Sequence, residues 1–265
     1  MVNVAYRKNV DKRLTKQEKT YETTQLMKTK RSEEYETLEE VFDRSTLMTI
    51  YEFMNKGSIG DIHGVVRAGK EARIYWAKSP EGKELAIKIY LTISAEFKKG
   101  KILYIEGDPR FRNVKHDTRS IAYAWAQKEY KNLELATKAK VRVPKPYAVK
   151  NNVLIMEFIG KNGTPAPTLK ELPPKNPQQI YETLLEYITR LYQNAQLVHG
   201  DVSEYNVMIV RNKPILFDIA QAVKLEHPMA NQFLQRDINN LNYYFKRQGT
   251  NITPAQEAIE KITHG

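Results

Sequence analysis

A proline-rich stretch near the middle of the chain separates two halves with different patterns of apolar residues. Its five prolines are Pro165, Pro167, Pro173, Pro174 and Pro177. Proline fixes φ and lacks a backbone N–H, so this density predicts a linker without regular structure. The fold must therefore join two differently built halves across an irregular connection.

The first half has the pattern of a small sheet with a helix on it. Apolar residues from Phe42 to Met54 recur at helical spacing before Gly57, which predicts a helix and its end. A second helix is predicted over about residues 118–138. Short β-branched and aromatic runs predict strands. These strands lie at 65–66, 73–77, 85–90, 147–149 and 153–159.

The second half reads as mostly helical. Residues Ile180, Leu184, Ile188 and Leu191 form one apolar face, which predicts an amphipathic helix. Short strands are predicted at 207–210 and 214–217, and two helices after Met229 with a break at Gly249. With 265 residues and 41% hydrophobic content, the chain can form one domain or two closely packed lobes.

Composition limits the setting in which the protein acts. The sequence contains no cysteine, which excludes disulfides and thiolate metal sites and fits a reducing compartment. Its first residues lack the apolar segment of a signal peptide, and the longest apolar run, Val153 to Ile159, is too short to cross a bilayer. We therefore expect a cytoplasmic protein without a membrane association.

Positive charge is concentrated in two segments of the chain, whose net charge is +11. Residues 1–31 hold nine Lys or Arg against three acidic residues, and residues 98–119 hold seven against three. Such clusters attract nucleic-acid backbones, although a solvated tail and a solvated loop would look the same.

The segment from His199 to Asn206 carries the strongest chemical signal. Asp201 precedes Asn206 by five residues, and Asn206 precedes Asp218 by twelve. This is the spacing of a kinase catalytic loop and its metal carboxylate. Asn206 and Asp218 offer oxygens that suit Mg²⁺, and Asp201 could accept a proton. The alternative is that these are turn residues and a helix cap.

Lys88 and Glu129 both stand where apolar residues are expected. Lys88 interrupts an apolar strand, and Glu129 shares a helical stripe with Ile121, Trp125 and Leu133. Because a buried charge needs a partner, the two could pair and direct the ammonium at nucleotide phosphates. A snorkelling lysine and a surface acid are the alternative interpretation.

Residues 64–72 contain two glycines between the first two strands, where backbone N–H groups could approach phosphate. The segment matches neither standard phosphate-loop pattern. An ordinary hairpin turn explains it equally well.

Six motifs of this chain occur together in the expected order: Gly69-Lys70-Glu71-Ala72, residues 86–90, Trp125 to Glu129, residues 156–160, His199 to Asn206, and Asp218-Ile219-Ala220-Gln221. In this combination they resemble the RIO family of atypical serine/threonine protein kinases over roughly residues 45–245. The Ser-Glu-Tyr-Asn segment is the most characteristic of them. About 60 residues precede the phosphate loop, too few for the winged-helix domain of the Rio-two branch, so we expect the Rio-one branch.

The resemblance implies an α+β, truncated two-lobed protein-kinase-like fold. We expect a basic, loosely ordered or partly helical segment over 1–40, a β-rich N-lobe over 41–159 and a mostly helical C-lobe over 160–265. Residues 92–117 would be a mobile basic insertion in the N-lobe. The implied ligands are ATP and Mg²⁺, with Mn²⁺ as an alternative ion.

The family's site residues carry over onto matching positions. Asp201 would be the catalytic aspartate, Lys88 would contact phosphates and pair with Glu129, and Asn206 and Asp218 would hold metal. The remaining expected nucleotide contacts are Val66, Gly69, Lys70, the gatekeeper Met156, the backbones of Glu157 and Ile159, and Ser203. Residues 153–159 can also be a buried strand, and the two interpretations are compatible. For Ser203, a loop-stabilising hydroxyl is an equally good explanation.

Two departures from the family pattern affect the expected function. Arg67-Ala68 replaces the usual Ser-Thr before Gly69, which exchanges hydroxyl contacts for an extra cation. Gly200 replaces the usual Ala, as in aminoglycoside and choline kinases, which keeps a small-molecule phosphotransferase open as an alternative.

The segment after Asp218 lacks the Ala-Pro-Glu motif that ends the activation segment of ordinary protein kinases. The usual peptide platform is therefore missing, and ATP hydrolysis or self-phosphorylation is an option. The resemblance implies maturation of the small ribosomal subunit, with pre-ribosomal particles and ribosomal RNA as partners and a monomer favoured. A nucleotide-gated RNA-binding factor is a third possibility.

Overall fold

The structure, a computed structural model, describes residues 41–92 and 95–264. The predicted basic segment over 1–40 lies outside the described residues. A five-stranded antiparallel sheet forms the first half, in the order β1-β2-β3-β5-β4. Its strands are β1 (Asp61–Ala68), β2 (Ala72–Lys78), β3 (Glu84–Tyr90), β4 (Pro146–Lys150) and β5 (Val153–Glu157).

Strand β3 lies at the centre of this sheet, and six of its seven residues are buried. Central position explains why its sequence is apolar without alternation, since both faces of the strand are covered. Among the six buried residues the charged exception is Lys88. A lysine in this position requires partners from elsewhere in the fold.

Two helices cover the sheet. Helix α1 (Arg44–Asn55) follows the cap Asp43, whose carboxylate accepts a bond from Thr46 N at 2.8 Å. Its apolar side packs on one face of the sheet with Tyr75, Ile87 and Ile155. The long helix α3 (Thr118–Lys138) starts at the cap Asp117 and has the bounds predicted from the sequence. It covers the other face, and its buried stripe includes Glu129.

The basic insertion carries a helix that the sequence pattern did not predict. Helix α2 (Ala95–Glu106) is followed by a short 3₁₀ turn at Pro109–Phe111. This helix packs on the main core through the buried side chains of Tyr104 and Ile105. Since they are few and irregularly spaced, helical periodicity is weak in this segment.

The second half packs three helices beneath the sheet: α4 (Pro177–Ala195), α5 (Ala230–Arg247) and α6 (Ala255–His264). Between them lie the short strands β8 (Leu197–Val198), β9 (Val207–Val210), β10 (Lys213–Leu216) and β11 (Val223–Lys224). Strands β9 and β10 pair, as do β11 and β8. This antiparallel pairing places residues 199–206 and 217–222 side by side.

The connection between the halves contains a small hairpin, β6 (Gly160–Lys161) with β7 (Thr164–Pro165). After it, the predicted irregular linker is tied to the second half by backbone bonds, such as Ile209 N to Pro167 O at 2.9 Å. One apolar core includes Ala86 and Met156 of the sheet together with Leu184 and Leu216 below it. None of the helices within the described ranges has both the length and the apolar character that crossing a bilayer requires.

Candidate active site

Lys88 lies between two carboxylates that come from different parts of the fold. Its Nζ is 2.9 Å from Glu129 Oε1 on helix α3 and 2.8 Å from Asp218 Oδ1 after strand β10. The Lys88 residue is 6% exposed and Glu129 is 1% exposed. The structure thus brings together the strand lysine, the helix glutamate and the predicted metal carboxylate.

Charge and burial oppose each other within this cluster. Burial alone would lower the pKa of Lys88, but the two carboxylates raise it above its ordinary value. The charge of Lys88 holds the pKa of Asp218 below its usual range. Burial raises the pKa of Glu129 despite Lys88. Tyr90 donates its hydroxyl to Glu129 Oε2, so both carboxylate oxygens of Glu129 are fixed.

Asp201 and Asn206 are held together within one loop. Asn206 Nδ2 donates to the Asp201 carbonyl and to Asp201 Oδ2, each at 2.9 Å. Gln221 Nε2 approaches the same carboxylate oxygen at 3.3 Å. Burial and the nearby charge of Asp218 raise the pKa of Asp201. Two amide donors therefore fix the orientation of this carboxylate.

The donors of this cluster fit a magnesium ion. The amide nitrogen of Asn206 is used by Asp201, which leaves its oxygen to act as a ligand, and Asp218 binds Lys88 through only Oδ1. Within 41–92 and 95–264, no three His, Cys, Asp or Glu side chains gather as a metal cluster. Magnesium held mainly by phosphate and water oxygens needs no such cluster.

A buried aspartate on helix α5 supports the loop from below. Asp237 accepts hydrogen bonds from Gly200 N at 2.7 Å and Val202 N at 2.8 Å. Burial raises its pKa to about 7, against the lowering effect of these two bonds. Arg236 donates to the Gly200 carbonyl, and Asn240 Nδ2 donates to the Val202 carbonyl at 3.2 Å. The backbone on both sides of Asp201 is therefore anchored.

Asp237, Arg236, Tyr90 and Gln221 were not found by our sequence interpretation. For Asp237 a signal existed, because it interrupts the apolar stripe of Phe233, Leu234 and Ile238 as Glu129 interrupts its own. Its partners are backbone N–H groups more than thirty residues away, at separations of 37 and 35. Sequence alone does not show such contacts.

The segment that carries Asp218 is held by helix α3. Asp218 adopts a left-handed conformation with φ of 58° at the start of the 3₁₀ turn Ile219–Gln221. Asn132 Nδ2 donates to the Ile219 carbonyl at 2.9 Å and to the Ala222 carbonyl at 3.0 Å. The buried Lys128 also donates to Ala222 O. One helix thus positions Glu129 and the turn after Asp218 together.

A cavity of about 450 Å³ opens between the sheet and the second half. The predicted nucleotide contacts Val66, Met156, Glu157 and Ile159 all line it, as does Phe217, which precedes Asp218. The Glu157 N–H donates to Lys145 O, and the Ile159 carbonyl accepts from Ala166 N. The predicted adenine bonds therefore depend on the Glu157 carbonyl and the Ile159 N–H.

The glycine-containing turn between β1 and β2 is a hairpin turn in this structure. The Gly69 N–H closes it by donating to the Ala72 carbonyl at 3.0 Å, so this group is engaged within the turn. Lys70 is exposed at its tip. Ser203 accepts a bond from Asn206 N through its carbonyl at 3.0 Å, which places it in the turn after Asp201. Arg67 lines the cavity.

Gly200 has a conformational reason for being glycine. Its φ is 78°, a region that residues with a Cβ atom rarely adopt. A Cβ at this position would have ordinary contacts, the nearest being Gln221 O at 3.7 Å. Backbone conformation therefore explains this residue without reference to a small-molecule substrate.

The architecture is that of the protein-kinase-like class: an α+β fold with an antiparallel sheet above a helical half. It is similar to the crystal structure of the Rio2 kinase-ADP/Mg²⁺-phosphoaspartate complex from Chaetomium thermophilum, with a TM-score of 0.62 and 20% identity over 80% of this chain and 64% of that one. A second Rio2 kinase structure from that organism gives a TM-score of 0.61. At this identity the likeness shows the fold, and it confirms the predicted fold class.

Sequence comparison identifies the family. Residues 73–258 match the model described as "RIO1: RIO domain". The chain is 42% identical to the RIO-type serine/threonine-protein kinase Rio1 of Haloferax volcanii over 84% of this chain and 76% of the relative. It is 35% identical to Rio1 of Methanocaldococcus jannaschii over 86% and 83%. It is 37% identical to yeast RIO1 over 85% of this chain but spans 52% of that relative.

The chain therefore belongs to the RIO family of atypical serine/threonine protein kinases, in the Rio1 branch. The predicted family and enzyme class are confirmed. The roles of individual site residues and the domain boundaries stay predictions.

Proposed function

We propose that this protein binds ATP with Mg²⁺ and transfers its terminal phosphoryl group. The observation that supports this most strongly is the buried Lys88 between Glu129 and Asp218, beside a loop in which Asn206 fixes Asp201. A lysine between a helix carboxylate and a metal carboxylate is the arrangement by which kinases hold phosphates and metal. The adjoining cavity of about 450 Å³ has room for the base.

Asp201 is the proposed acceptor of the proton from the attacking group. The acceptor oxygen forms a bond to the γ-phosphorus while the bond from that phosphorus to the β–γ bridging oxygen breaks, and ADP leaves with the bridging oxygen. Its raised pKa brings Asp201 closer to the range in which a carboxylate exchanges protons efficiently. Asn206 keeps the carboxylate oriented in this step.

Asn206 and Asp218 are the proposed metal ligands, because one amide oxygen and one carboxylate satisfy the limited protein coordination that Mg²⁺ needs beside phosphates. When bound, the ion neutralises charge that develops on the phosphates. Lys88 also neutralises phosphate charge, and Met156, Glu157 and Ile159 define the wall for the base.

The proposed setting is maturation of the small ribosomal subunit, in the cytoplasm. Its support comes from the family and from the charge of the first 31 residues, nine basic against three acidic. The basic insertion adds less support than its composition suggests. Within it, Lys101 and Arg110 pair with Glu71 and Asp108 in the folded chain, and Arg119, just after it, pairs with Asp43.

The decisive experiment is ATP turnover by the wild type and by Asp218→Asn, with and without small ribosomal subunit particles. Released phosphate and labelled protein are measured separately. We expect Mg²⁺-dependent turnover in the wild type, stimulated by the particles, and loss of metal-dependent nucleotide binding in Asp218→Asn. Released phosphate without labelled protein would identify an ATPase, and labelled protein would identify a kinase.

Metal-independent turnover, or an Asp218→Asn variant as active as the wild type, would contradict the proposal. Nucleotide binding with no turnover under any condition would favour the RNA-binding alternative. Stimulation by RNA-free proteins but not by particles would remove the ribosomal setting while leaving the ATP chemistry intact.

A further inference from the structure

Lys101 of the basic insertion is buried, although its position in a cationic loop suggests a solvated residue. Its side chain is 8% exposed, and its Nζ lies 2.8 Å from Glu71 Oε2. The same nitrogen lies 4.9 Å from the ring centroid of Trp125. Burying a lysine is unfavourable unless its charge has partners. The position of this ammonium group therefore calls for a functional explanation.

The partners of Lys101 place it at the candidate active site. Glu71 belongs to the turn between β1 and β2, in the motif expected to approach phosphate. Trp125 lies one helical turn before Glu129, the carboxylate that binds Lys88. The charge of Lys101 contributes to the lowered pKa of Asp218 and opposes the net rise in the pKa of Asp201, so its ammonium group is within electrostatic range of both carboxylates.

Helix α2 is fixed across the site by contacts with the second half. The Tyr104 ring stacks on Phe233 of helix α5, with centroids 5.1 Å apart. The Leu103 carbonyl lies 3.0 Å from His227 Nε2. After the helix, a Cβ on Gly107 would lie 2.2 Å from the same nitrogen, so only glycine permits this approach. These contacts set the position of Lys101 independently of Glu71.

We infer that Lys101 is a further catalytic residue of the proposed ATP site. When ATP binds, its ammonium group leaves Glu71 and contacts the terminal phosphate. This inference rests on the proposed function, because the phosphate must occupy the space between Lys88, Asp201 and Asp218. Lys88 already has two carboxylate partners. Lys101 brings a further buried ammonium group beside Trp125, one helical turn from Glu129.

The exchange of partners has a physical basis. Glu71 is 52% exposed, so water screens much of its attraction for Lys101. A terminal phosphate carries more charge and lies deeper in the cleft, where a charged hydrogen bond is stronger. The affinity for ATP should therefore depend on Lys101, whereas the affinity for ADP should depend on it little.

The test compares the Kd values of ATP and ADP, each with Mg²⁺, by calorimetry on the full chain. Lys101→Met should lower ATP affinity by roughly tenfold or more, the effect of losing one charged hydrogen bond, and leave ADP affinity nearly unchanged. Lys101→Arg should restore most of the preference for ATP. Lys115→Met removes an exposed cation of the same insertion and serves as the charge-matched control.

A second variant tests the inference even if Lys101→Met does not fold. Glu71→Gln removes the competing carboxylate and should raise the ratio of ATP to ADP affinity. A structural ion pair alone predicts equal losses for both nucleotides in Lys101→Met and no rise in Glu71→Gln, and either result would overturn the inference. So would a Lys115→Met variant that loses ATP affinity as Lys101→Met does.

The proposed function and this inference fail in different ways. A wild type that neither binds nor turns over ATP contradicts the proposed function itself. Normal turnover that Asp218→Asn abolishes, combined with an unchanged ATP-to-ADP ratio in Lys101→Met, contradicts only the assignment of Lys101.

Discussion

Lys88 and Glu129 are separated by 41 residues in the sequence, and their Nζ and Oε1 atoms lie 2.9 Å apart in the folded chain. The pair joins the central strand β3 to the long helix α3, and Asp218 adds a third charge from the second half. Three segments of the chain must therefore be correctly placed for both carboxylates to be neutralised. This couples the folding of the site to the packing of both halves.

Replacing Glu129 by glutamine should weaken both stability and activity. The amide keeps the shape of the side chain but loses the charge that Lys88 and Tyr90 contact. We expect the free energy of unfolding to fall by about 1.5–3 kcal/mol, the range for a charged hydrogen bond. The rate of phosphoryl transfer should also fall, because Lys88 is then drawn to Asp218. Urea denaturation and ATP turnover provide the two measurements.

Glu134→Gln is the control for this change, since it alters a half-buried acid on the same helix. Wild-type stability in Glu129→Gln would show that the buried charge contributes nothing to folding.

Replacing Asp201 by alanine should separate binding from catalysis. The carboxylate is held by Asn206 and Gln221, and its proposed role is to accept a proton. We expect phosphoryl transfer to be abolished while nucleotide binding stays largely intact, as measured by turnover and by fluorescent-nucleotide titration. Turnover at the wild-type rate would refute the assignment of Asp201. Glu81→Gln, a change in the exposed β2–β3 turn, should turn over ATP normally.

Replacing Asp237 by asparagine should disturb the loop without touching the nucleotide. The carboxylate accepts two backbone N–H bonds, from Gly200 and Val202, whereas an amide has one oxygen and an NH₂ group. One N–H would lose its acceptor, which costs about 1–3 kcal/mol of stability. The turnover rate should fall with little change in ATP affinity.

Asn240→Ala removes only the bond of 3.2 Å to Val202 O, so thermal denaturation should show a smaller loss than for Asp237→Asn. Equal losses in the two variants would argue against a special role for Asp237.

The buried His199 should make stability depend on pH. Burial lowers its pKa from the ordinary 6.5 to about 4, against the opposing charge of Asp218. Between these values the unfolded chain binds more protons than the folded chain, so stability is lost as the pH falls from 6.5 toward 4. The loss should reach about 3 kcal/mol.

His199→Phe removes this proton uptake. Urea denaturation at several pH values measures the unfolding free energy of both proteins. The value for the wild type should fall relative to that of the variant as the pH falls from 6.5 toward 4. A difference that does not change over pH 4 to 6.5 would show that His199 does not titrate in this range.

Much of the first half was predictable because its elements are encoded locally. Helix α3 has the predicted bounds, and the strands fall where β-branched and aromatic residues cluster. Helix α2 was missed, because its apolar residues lack clear periodicity and pack only on distant partners such as Phe233. The same reason explains why Lys101 was predicted only to belong to a mobile basic insertion.

The sequence by itself determined the kinds of groups that the site contains. The spacing of Asp201, Asn206 and Asp218 follows from a short loop and a hairpin, so it survives in the linear pattern. Only the tertiary structure decided that Asp218 joins the predicted pair of Lys88 and Glu129, and that Lys101 meets Glu71. Burial makes an unpaired charge unfavourable, so Lys88, Glu129 and Lys101 occupy positions that only the packing of strand, helices and loops can provide.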